Sequence, residues 1–280
     1  MPRNWRPQAR LGLIVGVCIS ALVALILTPK IRLGAGYHDF ADTRIVFGLP
    51  HALDVLSNVP FIVVGMWGLL WLLGDTSRLS FLDMRERTPY FVFFAGVALT
   101  GTGSFCYHLS PSNSRLPWDL IPMACCFETL VVALFMERVN VRIGLICLVP
   151  LLLLGVASVA EWYWSEARGL GDYKFYLFVQ FFSPVVVALI LVLFPSPYSG
   201  TRYLAAAFAL FVAAKLFESL DRAIYSLGEI VSGHSLKHVT AAISCYLILR
   251  MLQVRRVMPV AQASGAFRMN DAVSPGRVWL

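Results

Sequence analysis

The chain has 280 residues, of which 58% are hydrophobic and only 14% charged, against the roughly 25% charged expected of a soluble domain. Its net charge is +7, but the basic residues are scattered along short connections instead of gathered into a patch. That excludes a nucleic-acid surface and leaves a membrane protein.

In chain order, eight stretches are apolar for about the 20 residues a bilayer demands: 11–28, 52–73, 90–110, 117–137, 142–161, 174–194, 203–225 and 235–254. None shows the alternation of a membrane β-strand, so the expected fold is an all-α polytopic membrane protein. Residues 1–10 form a short basic N-terminal segment. The helix at 11–28 follows three arginines, and "LILTPKIRLG" offers no small-residue cleavage site, so it is expected to stay as an additional N-terminal anchor. Residues 29–257 make the main membrane domain, and 258–280 read as a disordered tail. Lys and Arg are sparse in the connections that would lie outside (Lys30, Arg32, Arg44, Arg115, Arg168, Lys174, Arg222, Lys237) and denser in the others. Both termini are therefore expected in the cytoplasm. The six cysteines have no metal or disulfide spacing.

The same alternation of spans brings several polar residues to one side. Ser104 and His108 fall at the outer end of the third span, Asp119 in the first turn of the fourth, and His234 and His238 in the first turns of the eighth. His38 and His51 lie in the 29–51 loop on that side. Ser104/His108 and His234/His238 each have the four-residue spacing that stacks side chains on one helix face. The pair in "GHSLKH" could chelate one zinc ion, and His108 is the natural third ligand, leaving a fourth position for water. Zinc lowers the pKa of such a water towards about 7 and polarises a carbonyl. Asp119, following Pro117 at a helix start, is suited to act as base, and Ser104 to orient the water or the developing oxyanion. A Ser/His nucleophile–base pair is the competing arrangement, but it leaves His234 and His238 without a task. "GTG" at 101–103 is read as close helix packing, because no strand precedes it as a nucleotide loop requires. In "AKLFESLDR", Lys215, Glu218 and Arg222 have the spacing of an ion-pair ladder, with Glu128 a further partner for Lys215; a proton path through them is the sharper alternative.

"LDVLSNVPFIVVG", "GTGSFCYHLSPSNSRLPWDLIPM" and "GHSLKHVTAAISCYL" are similar to the three signature regions of the alkaline ceramidase family. That family lies within the superfamily of seven-helix zinc hydrolases that includes the adiponectin receptors. The resemblance covers about residues 37–250. It implies a seven-helix hydrolase core with one extra N-terminal helix, and Zn2+ held by His108, His234 and His238 with Ser104 and Asp119 beside the water. The implied reaction is hydrolysis of the amide bond of a ceramide-like membrane lipid, releasing a fatty acid and a sphingoid base, with the active site towards the outer side. The family's calcium site would draw on Asp39 and Asp42 as a second metal site. Here Arg44 stands near an expected amide and His51 where a glutamate is expected, which disfavours Ca2+ and leaves the loop as a lid or collar held by Asp–Arg pairing. "WDLIPM" also has Leu120 where the family usually places a glutamate. A receptor-like or lipid-binding seven-helix protein with a structural metal, and a hydrolase of another acylated lipid, are the alternatives.

Overall fold

The computed structural model describes residues 5–258. The chain is an all-α polytopic membrane protein, and among the described residues no β-strand forms. The long helices are α1 (Pro7–Leu27), α3 (Val59–Leu73), α4 (Arg87–Leu109), α5 (Leu116–Arg138), α6 (Val141–Glu166), α7 (Lys174–Leu193), α8 (Thr201–Ser219) and α10 (Gly233–Val254). Two single-turn pieces, α2 (Ala52–Leu56) and α9 (Asp221–Tyr225), complete the set. Helices dominate because in lipid only helices or closed barrels satisfy their own backbone groups. The eight expected stretches each contain one long helix. Six segments are long and apolar enough to cross a membrane: Pro7–Leu27, Ala52–Leu73, Met84–Leu109, Leu116–Arg138, Val141–Glu166 and Lys174–Leu193. Of the eight expected stretches, those of α8 and α10 are not among these six because they carry Lys215, Glu218, His234, Lys237 and His238. The tail expected to be disordered lies, but for its first residue, outside the described residues.

α8 packs on α10, α10 on α3, α3 on α4, α4 on α5, and α5 on both α6 and α7. α8 makes its main backbone contacts with α10 and meets α7 through side chains, Lys215 Nζ lying 5.4 Å from the Phe181 ring centre. α1 lies outside this arrangement against α7, with Arg10 Nη1 donating to Leu193 O at 2.9 Å. The end of the bundle away from the histidines is closed by a buried polar knot. Arg255 pairs with Glu137, which also accepts from Tyr90 Oη at 2.8 Å, and Arg138 donates to Phe194 O at 2.8 Å.

The ladder expected in the seventh span is only partly formed. Lys215 pairs with Glu218, but the helix stops at Ser219 and restarts at Asp221. Arg222 is thereby turned away from Glu218 and bonds Asp39 at 2.5 Å. Lys237 takes the vacant rung, 3.0 Å from Glu218. Glu128 does not pair with Lys215 either; it accepts from Ser183 Oγ at 2.8 Å.

Candidate metal centre

Three helices supply the site. α4 carries Ser104 and His108 in its last turns, α5 carries Asp119 in its first turn behind Pro117, and α10 carries His234 and His238 in its first two turns. The close approach of α4 to α5 depends on Gly103, where a Cβ would strike the carbonyl oxygen of Trp118. This is the helix packing expected of "GTG". Gly233 likewise lets α10 start against the break between α8 and α9, since a Cβ there would meet Phe217 O and the Asp221 backbone.

His108, His234 and His238 converge as a buried group that could hold a metal ion, the only such group of three or more His, Cys, Asp or Glu side chains among the described residues. Their ring centroids are 4.7 to 5.0 Å apart. His234 Nε2 and His108 Nε2 are 3.2 Å apart. Two nitrogens on one tetrahedral zinc, each about 2.0–2.1 Å from the metal, lie about 3.3 Å apart. His238 Nε2 is buried with no hydrogen-bond partner, as is His108 Nδ1. An orphaned imidazole nitrogen facing two others is costly in a protein interior unless a cation meets it. The residues therefore fit a metal.

The supporting groups fix the rings. His238 Nδ1 is 2.8 Å from Ser57 Oγ, whose hydrogen bond to Asp54 O at 3.1 Å leaves the hydroxyl oxygen free to accept from the imidazole. That arrangement commits Nδ1 to the proton and Nε2 to the site. Asp54 Oδ1 accepts from Ser232 and Ser235 at 2.8 and 2.6 Å, tying α2 to the start of α10. Asp221 Oδ1 accepts from the His234 backbone at 2.8 Å, while its Oδ2 accepts from Ala41 N at 3.0 Å. Phe40 packs edge-on against both His108 and His234, at 4.5 Å in each case.

Of the remaining expected site residues, Ser104, Asp119 and His238 line one cavity of about 270 Å³. Ser104 is buried on the same cavity wall as Asp119, its side-chain neighbour. From Ser104 down to Phe93 on α4 the cavity follows the bundle for about 16 Å, at roughly 1.5 Å per residue, and its deeper wall is apolar, with Val97, Leu130, Val187 and Ile248. Phe181 of α7 and Phe211 of α8 also line it.

Asp39 and Asp42 are not brought together as metal ligands. Arg44 holds Asp42 through both oxygens, at 2.7 and 2.9 Å, and also donates to Ile230 O at 2.6 Å; Asp39 pairs with Arg222. His51 Nδ1 lies 2.8 Å from Asp42 O, and His38 bridges Tyr107 and Asn113 at 2.7 Å each. Burial pushes the Asp42 carboxyl up, but the hydrogen bonds and charge of Arg44 outweigh this and hold it below the usual carboxylate value. The collar expected of this loop is what forms. Sequence reasoning assigned no role to Asp54, Ser57, Phe40 and Asp221. The available signal was the spacing of Asp54, Ser57 and Asn58, which puts three polar groups on one face in an apolar stretch. No protein-family model matches the chain, and no curated protein matches it as a relative.

Proposed function

We propose that the protein is a zinc-dependent intramembrane hydrolase that cleaves the amide bond of ceramide-like, N-acylated lipids. The observation that carries this reading is a buried group of three histidines, one of which, His238, shares the wall of a long apolar cavity with Ser104 and Asp119. The apolar lining of that cavity supports a substrate with a long hydrocarbon chain. The resemblance to alkaline ceramidases supplies the reaction, and its orientation puts the site towards the outer face.

His108, His234 and His238 would hold the metal, which when bound supplies Lewis-acid polarisation of the carbonyl and of water. Asp119 then takes a proton from the attacking water and passes it to the leaving nitrogen. Ser104 Oγ donates to the oxygen on which negative charge develops. A C–O bond forms and the C–N bond breaks, so amide and water become a fatty acid and an amine. The apolar cavity holds the acyl chain and excludes bulk water from the reacting atoms.

The reading is tested by incubating the purified protein, and Asp119→Ala, with a panel of N-acyl lipids and following fatty-acid release. Wild type should turn over at least one of them, and Asp119→Ala should be slower by about 10²-fold or more with its metal retained. Equal rates in the two proteins, or no release by wild type across the panel, would refute it.

A further inference from the structure

Two lysines line the cavity beside Asp119, where a neutral ceramide-like headgroup offers them hydrogen-bond acceptors but no opposite charge. Lys215 and Lys237 both line it, and they share the single carboxylate of Glu218, one oxygen each. Glu218 thus balances only one of the two ammonium charges, and the Asp119 carboxylate lies near Lys237, which carries the second; ionisable groups at this depth are retained for use. Asp119, the other acid on that wall, is committed to proton transfer. Lys237 Nζ also lies 3.1 Å from His234 Nε2. Lys215 Nζ lies 5.4 Å from the Phe181 ring centre.

We infer that Lys215 and Lys237 form an anion subsite and that the preferred substrates are N-acylated lipids with a carboxylate beside the amide, as in N-acyl amino acids. The spacing sets that choice. An oxygen bound to Lys237 at about 2.8 Å stands one further hydrogen-bond length from the ligating nitrogen of His234, so the acid must lie within a few bonds of the scissile group. The inference rests on the hydrolase reading for the reaction but not for binding.

The test measures equilibrium binding of two probes with the same chain and amide, N-oleoylglycine and neutral N-oleoylethanolamine, to metal-free full-length protein, in which turnover is suppressed and Asp119 keeps its charge. The glycine conjugate should bind about ten-fold or more tightly, the worth of a charge-assisted hydrogen bond. Adding Lys215→Met or Lys237→Met should lower the ratio of the two affinities towards one. Adding Glu218→Gln, which removes the competing carboxylate, should raise it, and this variant keeps the inference testable where a lysine variant does not fold. An equal affinity for the two probes, or a preference that Glu218→Gln leaves unchanged or lowers, would overturn the subsite. Retained preference with no turnover of either lipid by wild type would instead sink the hydrolase reading alone.

Discussion

Ser57 shows how much of the centre is decided by a residue that would not touch the metal. Its hydroxyl receives the His238 Nδ1 proton and passes its own to Asp54 O, so the imidazole cannot rotate or change tautomer without losing a buried hydrogen bond. Ser57→Ala is expected to weaken metal binding by about 10- to 100-fold, measured by competition with a chromogenic chelator, and Ser57→Thr to restore most of it. Unchanged affinity in Ser57→Ala would deny the residue this role. The three histidines were legible because imidazoles four residues apart at a helix start have few structural uses in an apolar chain. Ser57 was not, since a serine in a helical span commonly bonds its own backbone, and only the fold shows which histidine stands opposite.

At the scale of elements, two contacts hold the centre in shape. The first is the seating of α4 on α5 at Gly103, where backbone meets backbone and neither can yield. Gly103→Val should destabilise the protein by about 1–3 kcal/mol through overpacking, read as a lowered thermal midpoint in detergent, and should move Ser104 away from Asp119. A midpoint equal to wild type would contradict this packing. The second is the collar at 39–44, clamped by Asp42 and Arg44 over the start of α10. Because the folded Asp42 pKa is depressed, its contribution to stability is present above the unfolded carboxylate value of about 3.9 and is lost as pH falls through the folded value. Asp42→Asn should therefore lower the thermal midpoint most near pH 7, and the gap to wild type should close below about pH 4. A gap independent of pH would mean that the Asp42 charge does not hold the collar. The Asp–Arg collar was readable from Arg44 standing among acids. The rerouting of Arg222 to Asp39 was not, because local spacing favours Glu218 and only the break at Ser219–Asp221 removes that option.

Over the whole molecule, hydrophobic runs located all eight long helices, since a bilayer imposes length and apolarity directly on sequence. They located α8 and α10 despite the charges those helices carry, and the charges mark where the helices face the cavity instead of lipid. That α8 packs mainly on α10 and not on α7 could not be read, because neighbouring helices joined by a short connection are expected to pack. The meeting of α4, α5 and α10 at one end was legible by counting spans, and the metal centre depends on that meeting. The most direct test of it is metal analysis of the purified full chain alongside His108→Ala, His234→Ala and His238→Ala. A single zinc ion per wild-type chain, lost or strongly reduced in each variant, is the predicted result; zinc stoichiometry unchanged in the three variants would contradict the centre described above.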